Sequence, residues 1–163
     1  MMECFCKSKI QLTQEERDIL LDMQSNFQYE RFETKIGPDG NFVYREFNDN
    51  DLPAWFFDKF GDLYYLERRL IWLQNWGSVR LHKDVNRLCS LTIPLTITSA
   101  PTDFWDDDEN LIDTLLHNGE AYLQDNQISH SVRDSLQSRN FLQITFKEHS
   151  YSQIKEMFND YWQ

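Results

Sequence analysis

The sequence predicts a mainly β fold flanked by helices, and three observations carry that reading. From Gly77 onward, short apolar runs at 79–81, 88–97, 121–123 and 141–146 follow one another between turn-rich segments. Such spacing suits a β-sandwich or barrel. Before them, the aromatic-rich segment 27–47 is broken by Gly37-Pro38-Asp39-Gly40, which reads as two strands joined by a turn. Helix signals come before this β-patterned part, together with the hairpin, and again at the C-terminal end.

The elements follow in order. Thr13-Gln14-Glu15-Glu16 is a capping box and opens a helix through Ile19, Leu20, Leu21 and Met23. After the hairpin, Asn50-Asp51 precede Leu52-Pro53, a helix start with Pro in its first turn. Trp55, Phe56, Phe57 and Phe60 give that helix an apolar side. The stretch 63–76 fits a buried helix or a helix running into a strand. Segment 150–162 closes the chain as an amphipathic helix with Ile154, Met157, Phe158 and Trp162 on one side. The expected organisation is one domain over 1–163. Within it, 1–76 is helical and hairpin support, 77–147 a metal-binding β core and 148–163 a C-terminal helix.

Composition narrows the function. The chain has 163 residues with 16 Lys plus Arg against 27 Asp plus Glu, a net charge of −11. Such an acidic chain repels phosphate backbones, which disfavours broad nucleic-acid binding. Abundant aromatics and few Gly and Pro exclude disorder throughout. Cys4, Cys6 and Cys89 form no visible framework and imply reduced thiols in a cytoplasmic setting. Cys4-Phe5-Cys6 lacks the second cysteine pair that a zinc site needs. No secretory leader and no bilayer-length apolar run is visible, so no membrane partner is expected. Asp103, Asp106, Asp107, Asp108 and Glu109 crowd one segment. They read as a solvated loop that supplies N-terminal charge to a helix at 111–116; the sharper reading is a recruiting patch for a cationic partner.

The chemistry centres on His82-Lys83-Asp84. In a strand, residues two apart share a face, so an imidazole and a carboxylate stand side by side. His130 lies further on, at the end of a Gly119-led strand, and Arg139 follows it by nine residues. Two His and one carboxylate on one face of a metal leave coordination positions open, the facial triad of non-haem Fe(II) oxygenases. Arg139 at a strand start can clamp a carboxylate with two parallel hydrogen bonds. A His-x-Asp tripeptide alone is common. Its order with a Gly-led strand, a second His and an Arg, all inside a β-patterned half, is what carries weight. His117, before Asn118-Gly119, reads as surface, and His149 as a neighbour of the last helix's cap. Tyr122 and Trp105 are candidates to border the pocket.

On these residues the sequence resembles the Fe(II)/2-oxoglutarate-dependent dioxygenases, whose core is a double-stranded β-helix, a cupin-like jelly roll. The resemblance covers about 77–146. It looks most like the branch of aspartyl/asparaginyl β-hydroxylases and free-proline hydroxylases. That finer likeness rests on Ser90-Leu91-Thr92-Ile93-Pro94-Leu95, on Gly119-Glu120-Ala121-Tyr122-Leu123-Gln124-Asp125-Asn126, on His130-Ser131-Val132 and on Arg139. The resemblance implies Fe(II) on His82, Asp84 and His130, with 2-oxoglutarate reaching Arg139. It further implies dioxygen as oxidant and hydroxylation of an amino acid, free or in a polypeptide. Relatives carry a basic residue and a His in the Ile-Pro-Leu strand, where this chain has Ser90 and Thr92. Arg87, Arg80 or the Thr92 hydroxyl is left to fill that basic role. That departure motivates the alternative, a non-catalytic metal-binding β-helix that binds a partner. Nucleobase demethylation on the same scaffold is a third reading, weakened by the negative charge.

Overall fold

A computed structural model describes residues 2–26, 31–34, 41–97, 100–134 and 137–163. Two antiparallel sheets face one another. The larger has the order β1-β9-β6-β11-β4-β3-β2 and the smaller β5-β10-β7-β8. Their ranges are β1 Phe5–Lys7, β2 Arg31–Thr34, β3 Asn41–Phe47, β4 Leu70–Trp76, β5 Val79–His82, β6 Cys89–Pro94, β7 Thr102–Trp105, β8 Leu111–Leu115, β9 Tyr122–Asp125, β10 Ser129–Val132 and β11 Arg139–Phe146. Strands from before and after Gly77 share the larger sheet.

Among the described residues, three α-helices pack against the outer face of that sheet. The first, α1 (Gln14–Gln24), starts at the expected capping box, where Thr13 Oγ1 accepts from Glu16 N and Glu16 returns a bond to Thr13 N. The second, α2 (Ala54–Glu67), buries Phe56, Phe60, Leu63 and Tyr64. The third, α3 (Tyr151–Met157), buries Tyr151 and Ile154. These side chains join Trp72, Leu91, Ile93, Leu142, Ile144 and Phe146 from the strands in one core cluster. Strand alternation sends those residues to the helix side and their neighbours to the opposite face, where the site is built.

The stretch 63–76 takes the second of its two expected forms, the end of α2 running into β4, the chain turning at Arg68 in a left-handed conformation (φ 53). Other expectations change. The helix expected at 111–116 is instead strand β8, paired along β7. The acidic segment before it hydrogen-bonds to itself: Asp106 accepts from the backbone of Asp108 and Asn110. The terminal helix is shorter than 150–162 and leaves Met157 exposed. The turn of the early hairpin lies outside the described residues, while β2 and β3 pair as expected.

Candidate metal centre

His82 ends β5, Asp84 lies in the loop after it, and His130 sits in β10. The two strands pair antiparallel with His130 directly opposite His82. That register brings the two ring centroids to 4.4 Å. One ligand atom from each of His82, Asp84 and His130 lies within 4.8 Å of the others. Asp84 Oδ1 is 3.1 Å from His82 Nε2 and 3.9 Å from His130 Nε2.

Neighbouring groups orient all three. His82 Nδ1 faces the Arg80 carbonyl at 2.6 Å, and His130 Nδ1 the Ile128 carbonyl at 2.8 Å. A proton on each Nδ1 donates to that carbonyl and leaves the Nε2 lone pair for a metal. The second Asp84 oxygen accepts from Arg87 Nε at 2.8 Å and from Asn126 Nδ2 at 2.7 Å. Burial alone would raise the Asp84 pKa. The hydrogen bond from His82 and the nearby positive charges outweigh it, and the carboxylate is held well below the usual range. The same hydrogen bond raises His82 above 6.5, against the effect of burial. Burial dominates at His130 and drives it down to about 4. A donor set of two imidazole nitrogens and one carboxylate fits a divalent transition metal.

The ligands open onto a cavity of about 620 Å³, and Arg139 lines the same cavity. The cavity floor is the inner face of the larger sheet. Arg139, Phe141, Gln143 and Thr145 alternate along β11 to line it, with Asn75, Leu73 and Ile71 along β4. Arg139 Nε donates to Asn75 Oδ1 at 3.1 Å, and its guanidinium lies 5.3 Å from the Phe141 ring centre. Arg87 ties the metal ligands to the floor, bonding Asp84 on one side and Gln143 Oε1 on the other. Gln143 in turn donates to Thr92 Oγ1 at 3.0 Å.

Of the side residues, Tyr122 borders the cavity and Trp105 does not line it, its indole donating to Ser131 Oγ. His117 is half-buried rather than on the surface. Its Nε2 is 2.9 Å from Thr102 Oγ1, and burial, then the charge of Arg139, lowers it to about 4. Ser90 is fully buried and not at the cavity wall. Sequence reasoning did not assign Gln143, Asn126 or Arg69 to the site. The polar alternation Arg139-x-x-x-Gln143-x-Thr145 within a buried strand was the available signal.

No family model matches the chain, and no curated protein matches it significantly. Solved structures do. A prolyl-4-hydroxylase of Pseudomonas putida superposes with TM-score 0.62 at 10% identity, over 91% of this chain and 95% of that one. A prolyl hydroxylase of Trichoplax adhaerens, in complex with a hypoxia inducible factor peptide fragment, gives TM-score 0.64 at 8% identity, over 89% and 83%. HygX of Streptomyces hygroscopicus, with nickel and 2-oxoglutarate bound, gives 0.52 at 9% identity, over 81% and 78%. At such identities the likeness establishes the fold: the chain is a double-stranded β-helix of the kind these oxygenases use. Among the described residues, no helix is long and apolar enough to cross a membrane.

Proposed function

We propose that the chain is a non-haem Fe(II)/2-oxoglutarate-dependent oxygenase that hydroxylates an amino acid, free or within a polypeptide. The observation that carries this reading is the convergence of His82, Asp84 and His130 within 4.8 Å, in a cavity that Arg139 also lines. Many proteins can gather two His and a carboxylate. A partly buried guanidinium on the same cavity wall is better explained by a carboxylate that it must receive.

His82 Nε2, His130 Nε2 and Asp84 Oδ1 would hold the metal. Bound there, iron supplies dioxygen activation and C–H oxidation, with 2-oxoglutarate as the electron source that leaves as succinate and carbon dioxide. Arg139 takes the far carboxylate of 2-oxoglutarate through its guanidinium. Arg87 fills the place that Ser90 and Thr92 leave without a base: it keeps Asp84 anionic and puts positive charge next to the ligands. Ile71, Leu73, Val79, Val132 and Phe141 line the cavity with apolar surface and limit water beside the ligands.

The test is direct. The iron-loaded protein, screened with amino acids and peptides, should release succinate in proportion to one of them, and His130→Ala should abolish the release. Metal binding with no 2-oxoglutarate binding would refute this reading and leave a non-catalytic metal-binding domain.

A further inference from the structure

The cavity floor is a grid, because neighbouring strands present every second residue to the same side. Register aligns Glu46, Ile71, Gln143, Thr92 and Tyr122 in one row across β3, β4, β11, β6 and β9. Two rows to one side along β11 lies Arg139, opposite Asn75. One row to the other side lies Thr145, whose N–H donates to the Arg69 carbonyl at 3.0 Å. Arg87 joins the Gln143 row to Asp84 and hence to the metal ligands. Two arginines therefore flank that row, with their strand positions about 20 Å apart.

The cavity's cations differ in their partners. Arg87 is paired with Asp84 and Lys83 with Asp107 at 2.9 Å, Arg80 is not without a partner, and Arg139 is the group for the cosubstrate. Arg69 is different. Its Nε donates to the Thr145 hydroxyl at 3.3 Å, and no acid among the described residues pairs with it. Glu46 lies across from Ile71, the residue two positions beyond Arg69 on the same face. It too has no ion-pair partner among the described residues, and it also lines the cavity. A guanidinium and a carboxylate thus stand on neighbouring grid positions without closing on each other.

We infer that Arg69 and Glu46 are the substrate subsite of this centre, and that the substrate is a free α-amino acid. The inference rests on the oxygenase reading above and narrows it. Arg69 takes the substrate carboxylate through its fork of N–H donors, and Glu46 takes the α-ammonium. The ammonium is then met by Glu46 in the Gln143 row and the carboxylate by Arg69 one row beyond it, away from Arg139, and the side chain is free to extend toward the ligands. A residue inside a polypeptide has neither charge and leaves both groups unanswered. A phosphate backbone would meet Arg69 but be repelled by Glu46.

Saturation-transfer NMR on the protein loaded with Zn²⁺ and 2-oxoglutarate tests this. The probes are the common L-amino acids, each beside its N-acetyl and carboxamide derivatives. At least one free amino acid should bind, and blocking either end should abolish its signal. Arg69→Gln should weaken that binding at least about tenfold, Arg69→Lys less, and Glu46→Gln should reduce the preference for the free amine. Retained 2-oxoglutarate binding in Arg69→Gln shows that the fold and the cosubstrate site survive. Blocked derivatives that bind as well as free amino acids would overturn the inference, as would binding indifferent to Arg69→Gln. So would failure of every amino acid to bind while 2-oxoglutarate binds through Arg139. In those three cases the oxygenase reading stands. Absence of 2-oxoglutarate binding to the wild-type protein would overturn both.

Discussion

His82 and His130 share Asp84 as a neighbour and have opposite proton affinities. The Asp84 hydrogen bond raises His82, and burial drives His130 to about 4. A metal needs both imidazoles neutral. As pH falls, His82 protonates first and competes with the ion, while His130 stays neutral. Metal binding between about pH 5 and 6 should therefore release one proton per ion, and affinity should fall about tenfold per pH unit there. Zn²⁺ calorimetry in two buffers of different ionisation enthalpy counts those protons; two released per ion would contradict the assigned asymmetry. Arg139 gives the second residue-scale prediction. Arg139→Lys keeps the charge and loses the fork, so 2-oxoglutarate binding should weaken by about 1–3 kcal/mol with metal affinity nearly unchanged. Anaerobic titration of the metal-loaded protein measures it, and equal affinity in both forms would remove Arg139 from the site. The metal-site candidates could be picked from the sequence by the order of His-x-Asp, His and Arg, although Asp84 lies beyond the end of β5 and strand parity is not what sets it beside His82. Arg69 and Gln143 could not be picked, because their roles come from register across β4 and β11, which no local pattern shows.

At the scale of elements, the junction between α2 and the β11–α3 loop rests on one carboxylate. Glu67 ends α2 and accepts from the backbone N–H groups of Lys147 and Glu148 at 2.8 and 3.2 Å, and meets His149 Nδ1 at 2.9 Å. Burial alone would raise Glu67; the His149 bond and the two backbone bonds outweigh it and lower the pKa from 4.5. A lowered folded-state pKa adds stability that is full above 4.5 and lost as pH falls through the folded value. Glu67→Gln should cost about 1–3 kcal/mol at neutral pH, since an amide cannot accept all three bonds. The gap from wild type should shrink below pH 4.5. Urea unfolding of both proteins at neutral and acid pH would show it; a gap independent of pH would mean that the charge is not what matters. His149 was readable only as a neighbour of the last helix's cap, since Glu67 is its partner from a distant helix. Strand β8 was misread for a local reason. Acids before an apolar run resemble a helix N-terminus, yet Leu111 and Ile112 are both exposed, as on an edge strand with no helical face to bury. The α2–β4 break was equally hard to place, because Arg68 takes the left-handed turn where a glycine would have marked it.

Across the whole molecule the two sheets are unequally supported. The larger rests on a cluster that runs from Leu20 and Phe56 to Trp72 and Phe146, while the smaller packs around Cys4, Phe104, Leu115, Tyr122 and Ile128. Long-range pairing makes this plan: β1 joins β9 near the opposite end of the chain. Such pairings leave no local trace, so the β character and the capped first helix were legible while the sheet order was not. The proposed ligands come from β5, the loop after it and β10, all in or beside the smaller sheet. An ion that binds all three opposes every opening that separates them. With free Zn²⁺ at about 100 times Kd, the folded state should gain about 2.7 kcal/mol. Amides of β5 and β10 should then exchange about 100-fold more slowly, because their opening releases the ion. Amides of α1 that exchange by fraying should not respond, since α1 can fray with the ligands in place. Hydrogen exchange with and without Zn²⁺, and again in His130→Ala, makes the comparison. Protection that rises in α1 but not in β5 and β10, or that persists in His130→Ala, would place the ion elsewhere.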